Sequence, residues 1–177
     1  LTVKQPPQPS IFLPKNNHCE PMCSIYNRRT QADASSVTYD FGNNKIYEGD
    51  SINICLPAGT HYMRIITNGK NGCKGTYDYT VPITVYPKPG ADFTWNPEQP
   101  TTANNAVTFN PTTKNGTVFA YEWAFTKSTN VGGVDSATVK NPTHLYDNNG
   151  KFPVMLVVKN EYGCIDSVYK VITIDED

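Results

Sequence analysis

No stretch of this 177-residue chain approaches the ~20 consecutive apolar residues that a membrane-crossing helix needs, so direct membrane insertion is not expected. The opening residues, LTVKQPPQPS, lack the charged and apolar regions of a signal peptide. Charge is scarce as well: 15 Lys and Arg against 16 Asp and Glu leave a formal net charge of −1, with no basic cluster. A nucleic-acid partner is thereby excluded, because a phosphate backbone calls for a stripe of Lys and Arg. No amphipathic pattern of helical period reaches ten residues. The nucleophile-elbow, zincin, P-loop and dinucleotide motifs are all missing, and the serines have no His/Asp context nearby in sequence, so no catalytic residue and no enzymatic activity are expected. His18, His61 and His144 are scattered, and Cys19-x3-Cys23 has no second close pair, which argues against zinc.

What the chain does have is 11 Tyr, 14 Pro, 12 Gly, many Thr and Asn, and strand-length apolar runs between the Pro and Gly, a composition that reads as all-β. Its organising stretch is Pro142 to Cys164. There Phe152, Val154, Leu156 and Val158 alternate with Pro153, Met155 and Val157, a period of two that places one apolar row on the core face of a sheet. Asp147-Asn148-Asn149-Gly150 supplies the turn. A second copy lies upstream at Cys55 to Cys73, where Gly59 precedes Cys73 by the fourteen residues that separate Gly150 from Cys164. With the glycines superposed, Val37 to Phe41 matches Tyr121 to Phe125, Cys23 to Asn27 matches Ala106 to Asn110, and Cys55 falls at Tyr146. A tandem repeat follows, and Leu1-Thr2-Val3, which matches Ile83-Thr84-Val85 and Ile172-Thr173-Ile174, implies that the fragment was cut from a longer array.

Three segments result: the tail of a preceding module with a Pro-rich linker over 1–9, a first module over 10–86 and a second over 87–177. Alternation assigns Tyr26, Val37, Tyr39, Phe41, Met63 and Ile65 to the first core. Val107, Phe109, Tyr121, Trp123, Phe125, Phe152, Val154, Leu156 and Val158 form the second. His61 takes the place of Phe152 and reads as a half-buried packing residue. Phe93 and Trp95 direct an opening strand at the second core, and Thr126 to Val134 reads as an exposed loop made flexible by Gly132-Gly133. About seven short strands per module suggest a two-sheet sandwich with Greek-key connections.

Tyr39-Asp40-Phe41-Gly42-Asn43-Asn44, Trp123-Ala124-Phe125, Pro142-Thr143-His144-Leu145-Tyr146, and Gly150 to Asn160 with Gly163-Cys164 together resemble PKD-type modules, the immunoglobulin-like repeats named after polycystin. The resemblance implies two tandem immunoglobulin-like β-sandwiches joined by a short Pro-rich linker. Asn-Gly-Cys and Pro-Lys-Pro-Gly-Ala-Asp-Phe between the copies are similar to repeats of large surface proteins of gliding, type IX-secreting bacteria. That likeness implies a non-catalytic adhesin segment on the surface of a Gram-negative bacterium, exported by type IX secretion. Its implied partners are neighbouring modules, surface glycans or proteins, and the secretion machinery. The rival readings are accessory modules of a secreted hydrolase and a carbohydrate-binding module. The latter calls for a row of exposed aromatics, for which Tyr47, Tyr62, Tyr79 and Tyr169 are the candidates off core parity.

Five cysteines point to an oxidising, extracytoplasmic setting. In an immunoglobulin-like sandwich the second strand, opened by Cys23, neighbours the fifth, closed by Cys55, so these two are expected to pair with Cα atoms ~4.4 to 6.8 Å apart. Cys19 is left to meet Cys164 or Cys73, and Cys73 to find a partner upstream of the fragment. Asp40, Asp92, Asp147 and Asp166 fall in turns or at strand edges as backbone caps. Asp40/Asn43/Asn44 and Asp147/Asn148/Asn149 offer too little charge for more than weak Ca2+ binding, and no other cofactor is expected. Asp50-Ser51-Ile52, Asp135-Ser136-Ala137 and Asp166-Ser167-Val168 resemble the O-glycosylation acceptor motif of Bacteroidetes-type extracytoplasmic proteins, which marks Ser51, Ser136 and Ser167 as acceptors.

Overall fold

A computed structural model describes residues 18–27, 34–42, 45–126 and 134–177. The 1–9 linker, Asn43, Asn44 and most of the Thr126 to Val134 loop lie outside the described residues. The chain divides between Pro87 and Lys88 into two compact units, and the described residues form strands joined by turns and loops, without a helix.

The first unit holds β1 (His18–Cys19), β2 (Met22–Asn27), β3 (Ala34–Asp40), β4 (Ile46–Glu48), β5 (Ser51–Leu56), β6 (Gly59–His61), β7 (Arg64–Gly69), β8 (Lys74–Asp78) and β9 (Ile83–Tyr86). One layer is the sheet β4-β3-β7-β8; the other consists of β2-β5 and β1-β9-β6. Between them lie Tyr26, Val37, Tyr39, Phe41, Ile54, Leu56, Met63 and Ile65, each at most 2% exposed. Side chains of one parity in β3, β5 and β7 point inward together, which is how a period-two sequence becomes a closed core.

The second unit holds β10 (Phe93–Asn96), β11 (Ala106–Pro111), β12 (Val118–Thr126), β13 (Val134–Ala137), β14 (Thr143–Leu145), β15 (Gly150–Asn160) and β16 (Ile165–Ile174). Its sheets are β13-β12-β15-β16 and β10-β11-β14. The core is aromatic: Phe93, Phe109, Trp123 and Phe125 pack with ring centroids 5.1 to 6.1 Å apart. The Trp123 indole N–H donates to the Val139 carbonyl at 3.1 Å, so the largest buried ring leaves no polar atom unserved. Of the residues assigned to this core by alternation, Tyr121 is only partly buried.

The four-stranded sheets of the two units share strand order and register. Tyr39 pairs with Ile65 as Trp123 pairs with Leu156, and Asp40 with Arg64 as Ala124 with Met155. Gly59 and Gly150 both adopt φ near +140°, and a Cβ added to either would meet the ring two residues on, His61 or Phe152. One superposition needs correcting. Register places Cys55 opposite Cys23 and Leu145 opposite Ala106, so the counterpart of Cys55 is Leu145 and not Tyr146. Counted from these matched residues, the path from Cys55 to Gly59 is one residue shorter than that from Leu145 to Gly150, and alignment on the glycines carries that offset into the strand.

Candidate functional site

The Cys23–Cys55 disulfide links two directly opposed residues of β2 and β5, with Cα atoms 3.9 Å apart, on the outward side of the strand pair. This is closer than the expected window, because the cysteines sit in register on adjacent strands. Cys19 and Cys164 are also disulfide-bonded, and Cys73 is a half-buried thiol.

The carboxylates singled out in the sequence are occupied by the backbone or by cations. Asp40 accepts the Gly42 N–H at 2.8 Å, and Asp166 accepts the Ala91 N–H at 2.8 Å. Asp92 accepts the Phe93 N–H at 2.9 Å and lies 2.6 Å from Lys170 Nζ. The Lys170 ammonium and the Phe93 amide hold Asp92 below the usual carboxylate range. Asp147, Asn148 and Asn149 are exposed. Among the described residues no group of three His, Cys, Asp or Glu is placed to hold a metal ion. His61 is buried, and its Nε2 lies 2.9 Å from the Pro57 carbonyl, to which the Nε2–H tautomer donates. His144 stacks on Phe125 with centroids 4.7 Å apart. Both histidines serve packing.

Two hollows remain. In the first unit a hollow of roughly 380 Å³ is bounded by Tyr62, Tyr79, Asp40, Arg64 and Asp78, with Met63 beneath. The Arg64 guanidinium donates twice to Asp78, at 2.5 and 3.2 Å, which holds that carboxyl below its ordinary range and the guanidinium above its own. In the second unit a notch of roughly 430 Å³ lies beside β10, bounded by Trp95, Glu98 and Lys170 among others. Lys170 also donates to the Phe93 carbonyl at 2.6 Å, covering the edge of β10. Asp78 and Asp92, both held below the usual carboxylate range, are ionised at neutral pH.

Of the four doubtful tyrosines, Tyr47 and Tyr79 pack against the core, while Tyr62 and Tyr169 are each 61% exposed. Alternation missed Phe119, also 61% exposed, because a register shift between Val118 and Ala120 interrupts the parity of β12. Ser51, Ser136 and Ser167 are exposed.

The sequence profile of the PKD domain matches residues 86–174, half of the chain. The chain belongs to the PKD-domain family. The match falls on the second unit and accounts for its all-β, immunoglobulin-like sandwich. PKD domains are typically extracellular, and the disulfides fit that setting. A search of the curated proteins finds no match. Among solved structures, the PKD1 domain of the Vibrio cholerae metalloprotease PrtV is 26% identical, covers 50% of this chain and 98% of its own, and gives a TM-score of 0.40. The PKD1 domain of Vibrio anguillarum Epp is 17% identical over 51% of this chain and 96% of its own, with a TM-score of 0.42. A structure described under carbohydrate-binding modules of the β-sandwich superfamily is 9% identical over 99% of this chain and 95% of its own, with a TM-score of 0.44.

Proposed function

We propose that the chain is a non-catalytic extracellular segment of a bacterial surface adhesin, in which two PKD-type modules space and present a contact surface. The shared strand order and register of the two four-stranded sheets support the tandem reading. The observation that carries the adhesive reading is the outer face of the second unit's four-stranded sheet, which exposes Met155, Tyr169 and Val171 together. Type IX export and a place among further modules rest on the repeat style noted in the sequence. The exposure of Ser51, Ser136 and Ser167 leaves all three open to O-glycosylation in the native host, which intact mass against a recombinant sample would reveal.

Deleting the segment from its parent gene should lower attachment of the bacterium to surfaces, while the purified chain turns over no glycoside or peptide substrate. Hydrolysis above a buffer control would overturn the reading.

A second reading, a glycan-binding module, is favoured by Tyr62 standing exposed beside the Arg64–Asp78 pair, a ring with fixed donors and acceptors that suits sugar hydroxyls. Glycan-array binding lost in Tyr62→Ala would establish it, and an array without signal would remove it.

A further inference from the structure

The two four-stranded sheets have the same order and register, so each outward position in one has a counterpart in the other. The central outward row is Asp40–Arg64–Asp78 in the first unit and Ala124–Met155–Tyr169 in the second. The first row is a charged, solvated surface with a bidentate Arg64–Asp78 ion pair, and the exposed Ile46 extends it at the β4 edge. The second leaves Met155 41% and Tyr169 61% exposed. Since charges occupy the equivalent places next door, packing of the fold does not require the apolar ones.

Along β15 and β16 the apolar character continues beyond that row. Pro153 pairs with Val171, which is 46% exposed, and Lys159 pairs with Ile165, which is 53% exposed. Phe119 joins the same face, with Lys159 Nζ 5.9 Å from its ring centroid. Two ammonium groups, Lys151 and Lys159, bracket the strip on β15, eight residues and so ~27 Å apart at the rise of an extended strand. Glu122, paired with Val157, is an acid on the same face.

Three chemistries could cover such a strip. A polysaccharide stacks on flat rings, but the centre here is mostly aliphatic, with Tyr169 its single ring. A second copy laid face to face, with its two-fold axis along or across the strands, sets lysine against lysine. A polypeptide with an apolar middle meets Met and Tyr, residues enriched at the cores of protein interfaces, and carboxylates at its ends answer the two lysines. We propose that the outer face of the β13-β12-β15-β16 sheet docks an extended, apolar protein segment flanked by Asp or Glu. This inference rests on the adhesive reading above and gives it a class of partner.

The test is to pan a displayed library of random peptides over the immobilised chain and to synthesise the enriched peptide. The expected peptide has an apolar middle with acidic flanks, and its Kd weakens about tenfold or more in Tyr169→Asp and in the Lys151→Glu/Lys159→Glu double variant. Lys74→Ala, on β8 of the first unit, leaves its Kd unchanged. Met155→Gln serves as a second variant if Tyr169→Asp lowers the melting temperature. The proposal is overturned by the absence of enrichment, by basic flanks, or by binding that survives these substitutions. Glycan-array binding lost in Tyr169→Asp would make the strip a sugar site, and a wild-type dimer abolished by that variant would make it a self-association surface; either also overturns the proposal. Attachment of cells lacking the whole segment is scored separately, so failure of the adhesive reading is distinguishable from failure of this one.

Discussion

Cys23 stands directly opposite Cys55 across β2 and β5, and the same register in the second unit sets Ala106 opposite Leu145 across β11 and β14. The hydrogen bonds from Tyr146 N–H to the Asn105 carbonyl and from Phe109 N–H to the Pro142 carbonyl bracket Ala106/Leu145 as a non-hydrogen-bonded pair, the kind with the closer side chains. Introducing Ala106→Cys with Leu145→Cys should therefore form a disulfide on air oxidation. In the chain-entropy model, closing a loop of this length stabilises by about 4 kcal/mol, before any cost from distortion. Non-reducing peptide mapping reads both bonds, and finding Cys23 or Cys55 alkylated as a thiol would contradict the strand pairing.

The turn between β15 and β16 depends on Asn160, which is fully buried and whose Oδ1 accepts the N–H groups of Tyr162 at 3.1 Å and Cys164 at 3.0 Å. Asn160→Ala strands two backbone donors, one of them buried, and is expected to cost about 2 to 3 kcal/mol in urea unfolding. A loss under about 0.5 kcal/mol would mean that the turn holds without the side chain.

Much of this was legible in the chain. Phe152, Val154, Leu156 and Val158 lie inward as their spacing requires, and Lys151 and Lys159 at the two ends mark the other parity of β15 as the outward one. Tyr169 was not assignable: β16 has Val168 and Ile172 facing in and Tyr169 and Val171 facing out, so both parities are apolar and alternation does not choose. The contacts of Asp92 and Asp166 were hidden for another reason. Their partners Lys170 and Ala91 lie some 75 residues away, and only the packing of β10 beside β16 brings them together. Capping was the right expectation for Asp40, whose acceptor bond is local.

Acid should weaken both units through their ion pairs. Lys170 and the Phe93 amide depress Asp92, and Arg64 depresses Asp78, each from an ordinary value of 3.8. A carboxyl lowered in the folded state contributes stability that is complete above its unfolded pKa and is lost as pH falls through the folded one. The urea midpoint should thus hold steady above about pH 5 and drop below pH 4, with a smaller drop in Asp92→Asn. An identical pH profile in that variant would show that the Lys170 contact contributes nothing.

The Tyr146 hydroxyl is buried without a hydrogen-bond partner among the described residues, and burial raises its pKa. Its ring packs on His144 and Phe152 at 4.6 and 4.7 Å. Tyr146→Phe keeps the ring and removes an unserved polar atom, so stability should stay level or rise by up to about 1 kcal/mol. Tyr146→Ala should cost about 3 to 5 kcal/mol. A loss above about 1 kcal/mol in the Phe variant would reveal a bonded hydroxyl.

On the proposed function the chain is a scaffold whose working part is the apolar face around Met155 and Tyr169. The most direct measurement is attachment of the native bacterium carrying Tyr169→Asp in the parent protein, with surface abundance of that protein checked in the same cells. Attachment should fall to the level of the strain lacking the whole segment while abundance is unchanged. Attachment equal to wild type, in cells that display the variant normally, would contradict the assignment of function to that face.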